Sequence, residues 1–246
     1  CVLIIIDCLR SDQWKTMANN LYSDFQIKTD YQLSLIPSTT FYSRNAIFSG
    51  YFPIELYENN TEIYNKMLES ESNYNKFEHE LLKDQLHRMN LENISSGYIK
   101  VSSYDYGRTL PGSIKNYKSL DLLCIVVNFI DILAHSRSES RVLKEVLTDE
   151  TSYRDIISSW ISNSWFREVL NEIRTWGRKI VLTSDHGSTM VGKPVQLKAY
   201  KDVSSGVRYK SGKNIKVKDK YALRIANPRD FKLPSFELNE NYLIAF

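Results

Sequence analysis

Covalent cross-links, membrane spans and glycine-lined cofactor cradles are all poorly represented in this chain of 246 residues. It holds three cysteines, Cys1, Cys8 and Cys124. Their odd number and wide spacing suit neither a disulfide framework nor a thiolate metal site. Each sits in or beside an apolar run, so all three are expected in the core. The longest nearly uninterrupted apolar stretch, Leu122 to Ile130, falls well short of the ~20 residues that a membrane-spanning helix needs. No charged segment leads into a signal-like stretch either, and a soluble, cytoplasmic protein is expected. Neither Gly-x-Gly-x-x-Gly nor Gly-x-x-x-x-Gly-Lys-[Ser/Thr] follows any strand-like run, which removes a dinucleotide fold and a P-loop. Charge of one sign is also scarce overall, the net being only +3. It is unevenly placed, because Lys193 to Lys220 carries nine Lys or Arg against two Asp. That segment is either a solvated basic loop or a surface that attracts phosphate-bearing ligands.

What is present is a set of short, strongly apolar runs separated by helical patterns. Val2 to Ile6 is continuous and β-branched, as expected of a strand buried on both faces of a parallel sheet, and it ends at Asp7. Leu122 to Val127 continues through Ile130 in the same manner to Asp131. Lys179 to Thr183 is a third such run, with Asp185 two residues on. Helical spacing marks Phe77 to Met89, Ser138 to Leu147 and Tyr153 to Trp176. Strands alternating with helices predict an α/β domain whose mostly parallel central sheet carries helices on both faces. In such a sheet the ligand site lies beyond the carboxyl ends of the strands, and three strands here deliver a carboxylate to that edge. After Val195 the pattern predicts shorter, irregular strands and loops, with Gly192, Gly206 and Gly212 as breakers. The chain starts inside one apolar run and stops inside another, Tyr242 to Phe246, so it is expected to be a single domain, 1–246, excised from a longer protein.

Asp131 and His135 form an Asp-x-x-x-His pair whose spacing puts both side chains on one face if a helix starts there. Asp185 and His186 supply two more ligand types at the same edge. Mixed carboxylate and imidazole ligands favour zinc or manganese over calcium or magnesium. An Asp-His dipeptide by itself also has a purely structural reading; the agreement of three strand ends favours the metal site. In Pro37 to Gly50 the proline and the hydroxyls announce a turn, and Tyr42 to Phe48 has helix-like spacing, so Thr40 falls near a helix N-terminus, where N–H groups and the helix dipole favour an anion. Thr39 or Thr40 as a simple N-cap is the competing reading.

Together these residues resemble the alkaline phosphatase superfamily, in the nucleotide pyrophosphatase and phosphodiesterase form of its site. Asp7, Thr40-Phe41, Asp131/His135 and Asp185-His186 occur in the order and strand context of that pattern. A closer resemblance is to the PglZ domain, in the form joined to response-regulator receivers in Bacteroidota, as in the PorX regulators of type nine secretion. It is carried by Ile6 to Trp14, Tyr42 to Gly50, Asn128 to Asp131 and Arg208 to Asn214. The resemblance implies two divalent metal ions, zinc or manganese, one held by Asp7, Thr40, Asp185 and His186 and the other by Asp131, His135 and a third histidine. It implies Thr40 as the nucleophile of a phosphodiesterase or phosphatase acting on nucleotide or oligonucleotide esters. Arg44 and Asn45 would then hydrogen-bond the non-bridging oxygens, and Arg208, Lys210 and Lys213 would hold remote phosphates. It implies as partners a receiver domain and a sensor kinase in the two-component system, a possible homodimer, and no membrane. A scaffold with a vestigial metal site, acting through protein contacts, is the alternative. Sulfatase chemistry is disfavoured, since no Cys-x-Pro-x-Arg motif occurs. One departure stands out: only His79 and His87 remain as further histidines, both in the charged helical segment and both expected at the surface, so the third ligand is expected beyond Phe246.

Overall fold

The computed structural model describes residues 1–70, 75–199, 203–204, 206–236 and 239–246. It divides into two compact units, the first formed by residues 1–34 and 83–188 and the second by 35–82 and 189–246.

The first unit is built on a parallel sheet. Its strands are β1 (Val2–Ile6), β2 (Ser96–Val101), β3 (Leu122–Val127) and β4 (Ile180–Thr183), in the order β2-β3-β1-β4. β1 pairs with β3 from Val2↔Leu123 to Ile6↔Val127 and with β4 from Val2↔Ile180 to Ile5↔Thr183, so all three strands end level with one another. Helices α1 (Ser11–Asn19), α6 (Tyr104–Ser113), α7 (Phe129–Glu139), α8 (Arg141–Val146), α9 (Glu150–Asn163) and α10 (Trp165–Arg174) flank it. The α/β class with a parallel central sheet is as the runs predict.

Three boundaries differ from the sequence reading. The Leu122 run stops being a strand at Val127, and Asp131 lies in the first turn of α7. The expected helix over Ser138 to Leu147 is broken at Ser140, whose hydroxyl accepts from the Leu143 N–H and starts α8. The expected helix over Tyr153 to Trp176 is likewise cut at Ser164, extended in backbone and capping α10. In both places serine satisfies the N–H groups that a new helix leaves without partners. β4 is an edge strand, with Val181 exposed, where two buried faces were expected.

The core of this unit collects Val2, Ile4 and Ile6 with Leu123, Ile125 and Val127 under the aromatic residues of α9 and α10. Trp160 is stacked between Phe129, at 4.5 Å, and Phe166, at 4.9 Å. Offset or parallel contacts of this kind add roughly 0.5–1.5 kcal/mol each beyond area burial, and here they pin the start of α7. Cys8 and Cys124 are buried as expected, whereas Cys1 is exposed.

The second unit contains α2 (Thr40–Ser49), α3 (Pro53–Asn59), α4 (Thr61–Glu69) and an antiparallel sheet of β5 (Tyr209–Lys213), β6 (Ala222–Ile225) and β7 (Glu240–Ala245), in the order β5-β7-β6. The boundary between units falls within α5 (Glu78–Arg88). Gly212, expected as a breaker, instead lies inside β5 opposite Asn241. No helix among the described residues is long and apolar enough to cross a membrane.

Gly107 on α6 lies close against α10, since a Cβ there would lie 2.3 Å from the Trp165 ring. The Gly107→Ala protein is therefore expected to lose about 1–3 kcal/mol in urea unfolding, despite the better helix propensity of alanine. An unchanged midpoint would mean that the α6–α10 contact is loose.

Candidate metal and phosphoesterase site

The site grows from the end of β1. The ladder continues one residue past the strand, the Asp7 N–H donating to Val127 O at 3.0 Å, so Asp7 emerges at the carboxyl edge with its backbone fixed. Cys8 then turns the chain with φ 67, an uncommon conformation for a residue with a side chain. The next two N–H groups staple this turn to the loop after β4: Cys8 N–H donates to Asp185 Oδ1 at 3.3 Å and Leu9 N–H to Ser184 Oγ at 3.0 Å. Asp185 Oδ1 also accepts from the His186 N–H at 2.9 Å. Asp7 and Asp185 are buried, and their orientations are set by backbone.

His186 completes a triad. Its Nε2 lies 3.4 Å from Asp7 Oδ1 and 3.8 Å from Asp185 Oδ2. Its Nδ1 lies 3.0 Å from the Gly187 carbonyl oxygen, which can only accept, so in that hydrogen bond Nδ1 carries the proton. In the neutral ring this leaves the Nε2 lone pair facing two carboxylates. Three electron-rich atoms within 4.8 Å of one another form a set that a cation satisfies. One imidazole with two carboxylates, the ring oriented through its other nitrogen by a carbonyl, is a donor set that fits zinc or manganese.

Asp131 and His135 stand one turn apart on α7, with Oδ1 and Nε2 separated by 3.6 Å; His135 is exposed and Asp131 half-buried. The spacing argument thus places them on one helix face. The Cys8 thiol lies within the field of the whole edge. Burial, then the charge of Asp131, then those of Asp7 and Asp185 push its pKa up to about 12, against a hydrogen bond with Ser188 that lowers it. A cleft of about 390 Å³ opens beside the triad, lined by Trp14, Tyr31, Gln32, Asp185 and His186 together with Arg10.

The remaining predicted residues belong to the second unit. Thr40 is the first helical residue of α2; Thr39 is the N-cap by backbone, but its hydroxyl makes no capping bond and is buried without a hydrogen bond. Arg44 and Asn45 are almost fully buried. Arg44 Nε donates to the buried Glu78 carboxylate and Asn45 Nδ2 to Phe41 O at 2.8 Å, so both have partners inside the unit. Arg208 and Lys213 are exposed, and Lys210 donates to Ser204 O at 2.8 Å. His87 is exposed as expected, whereas His79 is half-buried, because it shares the inner face of α5 with Leu82 and Leu86.

The family model described as "BREX system PglZ alkaline phosphatase-like domain" matches residues 1–228. The chain belongs to the PglZ family. No curated protein matches it. PglZ membership, with a parallel sheet whose carboxyl edge carries acidic residues and histidines, points to a phosphoesterase-type hydrolase, and the alkaline phosphatase-like group to which PglZ belongs typically uses divalent metals.

Sequence reasoning missed Arg10, whose bidentate pair with Asp12 stabilises the loop behind the triad, at 2.9 and 2.6 Å. That pair holds the Asp12 carboxyl at about 2, below its ordinary 3.8, with burial opposing and Arg154 assisting. A carboxyl depressed on folding stabilises the fold above its unfolded value and loses that contribution as pH falls towards the folded one. Asp12→Asn is therefore expected to be less stable than the native protein at neutral pH, the difference closing between 3.8 and about 2. Urea midpoints across that range check it, and a gap that does not close would assign the effect to something other than charge. Asp185→Asn keeps an oxygen for the two N–H donors but loses the charge. It should leave the fold intact and weaken zinc binding at least tenfold in equilibrium dialysis, unaltered binding being the contrary result.

Proposed function

We propose that this PglZ domain hydrolyses phosphate esters with the help of divalent metal, its substrates being nucleotide or short oligonucleotide phosphodiesters and its nucleophile Thr40. The observation that carries the reading is the convergence of Asp7, Asp185 and His186 at the carboxyl edge of the sheet. In this reading that triad holds one cation and Asp131 with His135 contributes to a second. A cation held there supplies positive charge where phosphoryl oxygens gain negative charge and lowers the pKa of a nearby hydroxyl or water.

The chain's own groups divide the remaining work. Gly187 O keeps the His186 Nε2 lone pair available, and the N–H groups of Cys8 and His186 hold Asp185 in place. Thr40 Oγ1 attacks phosphorus, the bond to the departing alcohol oxygen breaks, and that oxygen leaves with a proton. Water then cleaves the phosphothreonine ester and restores the hydroxyl. A hydroxyl on the first residue of a helix suits this role, because the adjoining N–H groups and dipole favour the charge of the phosphoryl group. The excess of cations from Lys193 to Lys220 supports an anionic substrate with more than one phosphate, drawn in by Arg208, Lys210 and Lys213. The cleft has the size for the organic group of such an ester, with Trp14 and Tyr31 as aromatic surfaces in an otherwise mostly polar lining. By its resemblance to receiver-linked PglZ domains, the domain would serve as the output of a two-component response regulator.

Hydrolysis of bis(p-nitrophenyl) phosphate tests the nucleophile. Thr40→Ala is expected to lose roughly 10³-fold or more in kcat with the fold intact, and Thr40→Ser to retain part of the rate. Thr39→Val should keep the rate and the stability, since its hydroxyl makes no hydrogen bond to lose. Loss of activity in Thr39→Val but not in Thr40→Ala would assign the nucleophile to the wrong threonine, and full activity in both would end the covalent mechanism.

A further inference from the structure

Behind the triad lies a group of charged side chains to which the proposed chemistry gives no role. Arg10 follows the Asp7 turn. Its stem packs on the backbone of Gly187, where a Cβ would lie 3.0 Å from Arg10 Cγ, so it is in contact with the loop that carries His186. Its guanidinium, besides binding Asp12, meets Glu150 Oε2 at 2.5 Å. Glu150 is the first residue of α9, held by the capping box in which Asp149 accepts from the Ser152 N–H at 2.8 Å. The other oxygen of Glu150 accepts from Arg137 Nη1 at 3.1 Å. Arg137 sits on α7 two residues after His135, and its Nε donates to Leu147 O at 3.0 Å. Tyr153 joins the same group: the Arg10 and Arg137 guanidinium carbons lie 6.0 and 5.1 Å from its ring centroid. Its hydroxyl donates to Ile130 O at 3.4 Å, one residue before Asp131.

We propose that Arg10, Glu150 and Arg137, gathered around Tyr153, form a brace that sets the spacing between the Asp7/Asp185/His186 triad and the Asp131/His135 pair. The proposal rests on the reading of both groups as metal ligands. Its physical basis is that the brace touches each ligand-bearing segment: the β1 turn through Arg10, the β4 loop through Gly187, and α7 through Arg137 and Ile130. Glu150 accepts a hydrogen bond from Arg137 through one oxygen and is ion-paired with Arg10 through the other, and each guanidinium holds a second partner, so the carboxylate ties the two segments together. Two-metal sites require separations near 3.5–4 Å, so such a tie matters more to the second site than to the fold. Arg137 and Glu150 are positioning residues, whereas Arg10 also lines the cleft beside the triad. The brace also brings two permanent cations to an edge that gathers three carboxylates, which lowers the cost of assembling them before metal arrives.

Zinc titration of the metal-free protein by calorimetry, with kcat and KM for bis(p-nitrophenyl) phosphate, tests this. The native protein is expected to show two binding events, the triad tight and the Asp131/His135 site weaker. Arg137→Met keeps the stem and removes the fork. It should leave the first event at native affinity, weaken the second by about 10–100-fold, as removal of outer-shell partners does elsewhere, and lower kcat with KM unchanged. Arg137→Lys should recover part of the second event. If Arg137→Met does not fold, Glu150→Gln, which keeps the shape and one acceptor, is read for the same split. Two unaltered events in a folded variant overturn the brace while leaving the metal reading standing. A native protein with one event overturns the brace as well, and one with none overturns the brace and the metal reading together.

Discussion

The parallel pairing of β1 with β3 on one side and β4 on the other turns three distant stretches of sequence into one edge. Because Ile6 is level with Val127 and Ile5 with Thr183, the residues that follow each strand have to meet there. The Cys8 and Leu9 N–H groups then fasten the β1 turn to the side chains of Asp185 and Ser184. Slip β4 by one residue against β1 and the inward and outward residues of the strand exchange faces, taking Asp185 out of reach of those donors. The triad is thus a consequence of strand register, and the apolar run Val2–Ile6, buried at every position but the half-buried Leu3, is what holds the register.

Assembling Asp7, Asp185 and Asp131 at one edge has an electrostatic cost, which the fold meets in stages. Backbone N–H groups satisfy part of Asp185, and the arginines of α7 and the β1 turn bring fixed positive charge close behind. Burial, followed by the charges of Asp131, Asp7 and Asp185, raises the Cys8 thiol pKa above its ordinary value. A site so arranged has a standing preference for a cation. The second unit distributes its charge differently: Arg44 and Glu78 neutralise each other in the interior, while Arg208 and Lys213 face water. A buried ion pair of that kind adds specificity to the packing more than stability.

Much of this edge was legible in the sequence because each strand reads as a buried apolar run that ends near an aspartate. Asp131/His135 was legible as a pair from its helical spacing alone, although the strand before it ends earlier than its apolar run. The brace was not legible, since Arg10, Arg137 and Glu150 have no common spacing that would mark them as neighbours. β2 escaped for a related reason: Ser96, Gly97 and Lys100 give an edge strand little apolar character. The helix breaks at Ser140 and Ser164 lie in patterns whose apolar period runs on without interruption, and only the capping chemistry of serine marks them. Burial of Arg44 depends on a tertiary partner, Glu78, which lies more than thirty residues away in sequence. The PglZ match spans both the well-read edge and the poorly read second unit, so family membership reaches further than the motif.

The central claim is that the carboxyl edge of β1 and β4 is a cation site. Anomalous scattering at the zinc edge from crystals grown with zinc tests it without recourse to activity. The account predicts a strong peak bounded by Asp7 Oδ1, Asp185 Oδ2 and His186 Nε2. Zinc bound elsewhere on the protein with this triad empty would contradict it.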